Sequence, residues 1–227
     1  MINIFYIFGK SCSGKDTIKN EILKNEDLCK EYHIKDLVYY TTRPMRPGEE
    51  NGKDYYFVDE EFYQSIDKSK LFDDRAYETE KGTWRYFIFT DELDDFTNYV
   101  GIGTPETIEN IQKLTISDDI TKIAIFILYI KADTISILKR YYKRLTSVDC
   151  DDYLEYKEMI RRILDDDKKF DRFESPIIDY EPPIIGHKFI DNSDGSDMER
   201  NITECSMFIS YWCSVSNFSW RKKIYES

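Results

Sequence analysis

The sequence predicts an α/β protein, with a parallel sheet flanked by helices. Three observations carry that expectation. The chain opens on an uninterrupted apolar run, Ile2 to Phe8, of the kind that fills a strand buried on both faces. A longer and more apolar run, Ile123 to Ile130, has the character of a central strand. Between and beyond them, short apolar segments alternate with helical ones, the order that gives a parallel sheet covered by helices.

Taken in order, the strand 2 to 8 runs into a glycine- and serine-rich turn at 9 to 17, followed by a helix from Asp16 to about Asn25. Leu37 to Tyr40 is a short strand candidate. Residues 43 to 54 hold Pro44, Pro47, Gly48 and Gly52 among charges, which makes them an ordered loop. Tyr55 to Val58 is a short strand, and Asp59 caps a helix reaching about Lys68. Leu71 to Tyr77 and Trp84 to Phe89 are strands joined by a turn at Lys81-Gly82, and Asn98 to Gly103 is strand-like. Thr104-Pro105 supplies an N-cap and a first-turn proline for a helix through about Lys113. After the central strand come helices at 133 to 145 and from about Asp152 to Phe173, with a polar stretch between them. Glu174 to Pro183 is irregular, Phe189-Ile190 is a last short strand, and Met198 to about Trp212 is a final helix.

Composition narrows the functional classes. A chain of 227 residues with 18 Tyr and 14 Phe can build a sizeable core. A net charge of −12 argues against a nucleic-acid polymer as partner, because such binding rests on basic surface. No apolar run approaches the ~20 residues of a membrane span, and no signal-peptide pattern opens the chain. Five cysteines, an odd number with no Cys-x-x-Cys pair, suit a reducing cytoplasm rather than a disulfide framework. His33 and His187 stand alone and suggest no zinc site. The cations cluster instead: Arg43 with Arg46, Arg140 with Lys143 and Arg144, and Arg161 with Arg162.

Residues 9 to 17 read Gly-Lys-Ser-Cys-Ser-Gly-Lys-Asp-Thr. Between a buried strand and a helix this is a phosphate-binding loop. Its backbone N–H groups and the helix N-terminus cradle phosphates, and Lys15 reaches the β and γ oxygens. Gly9, Ser11, Cys12, Ser13, Gly14, Lys15, Asp16 and Thr17 are therefore the expected ATP-binding positions. Asp16 stands where a hydroxyl usually follows the lysine. A carboxylate is also a good Mg²⁺ ligand, so Asp16 and the adjacent Thr17 are the expected metal contacts. A second constellation lies at 41 to 58, where Arg43 and Arg46, three apart on a proline-stiffened loop, suit bidentate capture of a phosphate.

That second segment, Thr41-Thr42-Arg43-x-x-Arg46-x-Gly48-Glu49-x-x-Gly52-x-Asp54-Tyr55-x-Phe57-Val58, resembles the acceptor site of guanylate kinases at each fixed position of their motif. The resemblance implies a core on a P-loop sheet (about 1–42, 90–140 and 175–212), an inserted β-rich GMP-binding domain (about 43–89) and a helical lid (about 140–174). It implies transfer of the γ-phosphoryl of ATP to GMP, giving ADP and GDP, with Mg²⁺ as cofactor. By the same resemblance Arg43, Arg46 and Tyr55 hold the GMP phosphate, Tyr86 touches it, and Asp73, with Asp74 as the alternative, meets the guanine. Arg144 and Arg162 are the lid arginines that reach the transferring group, although Glu158–Arg162 and Arg161–Asp165 could equally be ordinary helix pairs. Asn192 lies where the family approaches the nucleotide base, or is a turn residue. The oligomer is left open between monomer and homodimer.

The chain departs from the family at several points. Tyr39 takes the place of a serine near the guanine. The segment at Asn98 to Gly103 lacks an aspartate, and 76 to 92 lacks the usual Tyr-Gly-Thr. These departures bear on base preference, so a monophosphate kinase with another base preference is an alternative. A non-catalytic interaction module is a second, disfavoured by the intact Lys15 and its glycines.

Overall fold

The computed structural model describes residues 2–114, 123–147, 153–171 and 184–225. Its first layer is a five-stranded parallel sheet in the order β2-β7-β1-β8-β9, made of β1 (Ile2–Phe8), β2 (Ile34–Asp36), β7 (Asn98–Ile102), β8 (Ile123–Lys131) and β9 (Ile184–Asp191). The continuous apolar runs have a direct cause. Alternate residues of β1 and β8 feed two separate cores. Ile4, Tyr6, Phe8, Ile125, Ile127 and Tyr129 face one side, with Ile108 of α4 (Pro105–Leu114) and Phe170 of α6 (Tyr153–Phe170). Phe5, Ile7, Phe126, Leu128 and Ile130 face the other, with Ile18 and Ile22 of α1 (Lys15–Lys24) and Ile209 and Cys213 of α7 (Met198–Tyr225). Both faces are covered, so the expected fold class holds.

A second, four-stranded sheet in the order β4-β3-β6-β5 comes from β3 (Tyr40–Thr41), β4 (Tyr56–Phe57), β5 (Leu71–Thr79) and β6 (Gly82–Phe89). Only β3 and β4 pair in parallel. Tyr63, Leu71 and Phe87 form its own small core with α3 (Glu60–Ser65). The phosphate loop leaves the carboxyl end of β1, where open α/β sheets bind their ligands.

Several boundaries differ from the sequence expectation. The strand expected at Leu37 to Tyr40 is split: β2 ends at Asp36 in the large sheet and β3 begins at Tyr40 in the small one. Leu37 and Tyr39 are apolar because they bury as the chain crosses between sheets. The helix from Asp59 stops at Ser65. Ile66 turns extended, and Asp67 caps a separate 3-10 turn at Lys68–Lys70 through the Ser69 amide. A short helix not foreseen, α2 (Glu26–Glu31), is capped by the Asn25 side chain accepting from the Leu28 amide. β9 is longer than Phe189-Ile190, and α7 runs past Trp212 to Tyr225. The irregular stretch expected at 174–183 lies outside the described residues.

Candidate active site

The loop after β1 is held in its shape by backbone that glycine alone can supply. Gly9 has φ +154°, and a Cβ there would sit 2.5 Å from the Ile130 carbonyl oxygen and the Ser13 hydroxyl. Gly14 has φ +97°, and its missing Cβ makes room for the Asn192 amide. Cys12 also adopts a left-handed φ of 58°. Gly14 is the N-cap of α1 and offers no side chain, so the first-turn N–H groups of that helix stay open to an anion.

The loop is stapled from behind. Asn192 Nδ2 donates to the Ser13 carbonyl at 2.7 Å, and Arg140 Nη1 donates to the same oxygen at 3.1 Å and to that of Cys12 at 3.3 Å. Asn192 is 1% exposed and accepts from Asn201 at 3.1 Å. It therefore supports the loop rather than lining the cavity. Arg140, on α5 (Thr134–Ser147), lies four residues before Arg144 on one helical face, a spacing that by itself does not reveal its contact with the loop.

In front of the loop lies a cavity of about 240 Å³ to which widely separated segments contribute, Leu37 and Tyr39 and the Ile102–Glu106 stretch among them. Gly9, Ser11, Cys12, Lys15 and Asp16 come from the phosphate loop; Arg43, Arg46 and Tyr55 from the 43–55 segment; Arg75, Tyr77 and Tyr86 from the small sheet; Arg144, Arg161 and Arg162 from α5 and α6. Residues distant in sequence thus line one cavity. Thr17 is exposed and lies outside this lining, and Ser13 is fully buried beneath the loop. Of the two expected metal contacts, Asp16 fits the cavity and Thr17 does not. The Cys12 thiol is pushed up in pKa by burial, against the opposing influence of Arg144 and Lys15.

The arginines are not equivalent. Arg43 is 4% exposed and forks onto Glu49 at 2.6 and 2.7 Å, with its guanidinium 4.8 Å from the Tyr55 ring centre. Burial opposes the Glu49 charge, but Arg43 and the Arg46 amide more than offset it and hold the carboxyl below its ordinary pKa. Arg46 makes no ion pair among the described residues. Burial, then the charges of Arg43, Arg162 and Arg144, push its pKa down. A guanidinium with no carboxylate of its own among the described residues, set against three others, calls for an anion at that point. Arg162 donates to Glu158 at 2.7 Å, and Arg161 pairs with Glu158 and Asp165. The helix pairs therefore exist, yet both arginines also wall the cavity.

Helix α6 lies against the loop. The Ser11 amide donates to Asp166 Oδ2 at 2.5 Å, Lys10 pairs with Asp167 at 2.8 Å, and Lys169 bridges Glu106 of α4 at 2.6 Å. A carboxylate thus occupies one of the amides that would receive phosphate. In sequence, Asp165-Asp166-Asp167 looks like a solvated helix face, so nothing flagged this contact.

On β5, Asp73 and Asp74 point to opposite faces by strand alternation, and neither lines the cavity. Asp74 turns to the small core, accepting from the Tyr63 hydroxyl at 2.7 Å. Asp73 shares the cavity-side face with Arg75 and Tyr77 but lies deeper, accepting from Asn110 Nδ2 at 2.9 Å and the Tyr39 hydroxyl at 3.0 Å. Arg75, which sequence reading passed over, lies between Asp73 and the cavity.

Comparison with known proteins agrees with this geometry. Residues 2–88 match the family described as guanylate kinase. The chain is 40% identical over 104 residues to a guanylate kinase of Lactobacillus acidophilus, covering 45% of this chain and 39% of that protein. It is 38% identical over 87 residues to one of Thermotoga maritima, covering 37% and 40%. The alignments thus span about two fifths of these curated relatives. In three dimensions the fold matches the crystal structure of a guanylate kinase from Anaplasma phagocytophilum, with TM-score 0.50 and 16% identity over 92% of this chain and 84% of that one. The resemblance read from residues 9–17 and 41–58 is borne out. Among the described residues no helix is long and apolar enough to cross a membrane.

Proposed function

We propose that this chain is a nucleoside monophosphate kinase that transfers the γ-phosphoryl of ATP to GMP, giving ADP and GDP. The observation that carries the reading is the half-buried Arg46, which makes no ion pair among the described residues and converges with Arg144 and Arg162 on a cavity that opens onto the phosphate loop.

Lys15 and the amides of the loop bind the ATP phosphates. Arg43, oriented by Glu49, acts with Arg46, Tyr55 and Tyr86 to hold the acceptor phosphate. A phosphate monoester has its second pKa near ~6, so the attacking oxygen is already deprotonated and no general base is needed. Catalysis is then positioning and charge neutralisation. Arg144 and Arg162 approach the transferring group from the lid side, and closure of α6 excludes water. Asp73 braces the acceptor side from beneath. Asn192 acts on ATP through the loop. The Mg²⁺ that accompanies ATP would be held by Asp16; when bound it neutralises phosphate oxygens.

Two measurements test the proposal: ADP formation from ATP and Mg²⁺, with and without GMP, and the same assay on Lys15→Met. GMP should stimulate ADP formation, and Lys15→Met should abolish the stimulation. No stimulation by GMP or by any other monophosphate would refute the reading.

A further inference from the structure

The wall of the cavity nearest Tyr39 is already saturated from within. The Tyr39 hydroxyl donates to Asp73 and meets the Tyr6 hydroxyl at 2.9 Å. Both oxygens of Asp73 have partners: Asn110 on Oδ1, and Tyr39 on Oδ2 with Arg75 Nε 3.0 Å away. The Asp73 side chain is 0% exposed and does not line the cavity. Neither group is available to accept the N–H groups of a base. Arg75 does line the cavity. Its guanidinium stands 4.7 Å from the Tyr39 ring centre, and Nη1 reaches only a long 3.4 Å contact with Thr104 Oγ1. Its Nε is buried without a well-aligned hydrogen-bond partner among the described residues. The planar fork is braced by a carboxylate on its Nε side and by an aromatic face, which leaves its Nη donors as the ones a ligand in the cavity can meet.

The geometry points to Arg75 as the residue that selects the base, by donating to the two acceptors of a 6-oxopurine edge. This rests on the kinase reading above. Guanine offers O6 and N7 on one edge, the pair a guanidinium fork fits. Adenine offers N7 beside an amino donor, which would face the cation donor to donor. The 2-amino group of guanine has no reader in this arrangement. The acceptor class is therefore 6-oxopurine monophosphates, with the hypoxanthine nucleotide IMP included. Asp73 and Tyr39 are positioning residues that hold the fork.

The experiment compares kcat/KM of the unaltered chain for GMP, IMP, 7-deaza-GMP and AMP. IMP should fall within roughly 10-fold of GMP, because no group reads the amino substituent. 7-Deaza-GMP, lacking one acceptor, should lose roughly 10-fold or more, and AMP roughly 10³-fold or more. Arg75→Met should cut the GMP-over-AMP preference at least tenfold, through GMP, with the KM for ATP unchanged. Arg75→Met leaves the buried Asp73 charge without its counter-cation, so the double variant Asp73→Asn, Arg75→Met is measured beside it. GMP used well with IMP more than 100-fold poorer would overturn the inference while leaving the kinase reading intact. So would equal use of AMP, or an equal loss for every monophosphate in the Arg75 variants, which would assign Arg75 to the phosphate. Failure of every monophosphate would overturn both.

Discussion

Arg43 and Arg46 lie three residues apart and carry different tasks. Arg43 is neutralised by Glu49 and stacked over Tyr55, so it is already rigid before a ligand arrives. Arg46 has only its backbone tied to Glu49, and its cation is open to the cavity. Arg46→Ala should therefore raise the KM for GMP by roughly 10- to 100-fold, the worth of a charge-assisted hydrogen bond, and leave the protein's stability nearly unchanged in a thermal melt. Glu49→Gln should act the other way, on the scaffold. The Glu49 carboxyl sits below its unfolded pKa of about 4.3, so its stabilisation is full above that value and fades as pH falls through the lower folded pKa. Melts from pH 7 down to 3 should show a shallower acid-limb loss in the variant than in the unaltered chain, since the other carboxylates held below their ordinary pKa still contribute. Residue-level chemistry was legible where a motif fixes both type and spacing, as at 9–17 and 41–58. Arg75 was not, because its meaning depends on Asp73 being covered and on Tyr39 lying beneath it.

At the scale of elements, the phosphate loop is a product of its neighbours. The residue after β9 and the middle of α5 grip the Ser13 carbonyl through Asn192 and Arg140, residues 179 and 127 positions away in the chain. Arg140→Met should raise the KM for ATP severalfold and leave that for GMP unchanged in steady-state kinetics, since it touches the loop and not the acceptor wall. Helix α6 acts in the opposite sense. Asp166 on the Ser11 amide competes with phosphate, so Asp166→Ala should lower the KM for ATP. An unchanged or higher value would mean that the contact stabilises the loop for binding. Long apolar strands and the loop–helix junction were readable from the sequence because burial on both faces leaves an unmistakable run. The crossing at Leu37–Tyr39 was misread because a segment buried between two sheets has the same composition as a strand. The short α2 was hidden because six residues without a buried side chain leave no periodic signal.

For the whole molecule, the proposed reading puts ATP on the large-sheet side and the acceptor against the small sheet and the 43–55 segment, and α6 touches both, through Lys10–Asp167 on one side and the Lys169 ammonium 4.6 Å from the Tyr77 ring centre on the other. Binding to this arrangement stabilises it by mass action: at 100 times its Kd, a ligand adds about 2.7 kcal/mol. GMP should raise the thermal midpoint accordingly, and AMP at the same concentration should not. The central claim is that a phosphoryl group passes between the two halves of one cavity. The most direct measurement is to supply ATP labelled at the γ-phosphate together with GMP and Mg²⁺ and to follow the label. The account predicts that it appears in the β-phosphate of GDP at the rate ADP forms. Label released only as inorganic phosphate, at a rate indifferent to GMP, would contradict it.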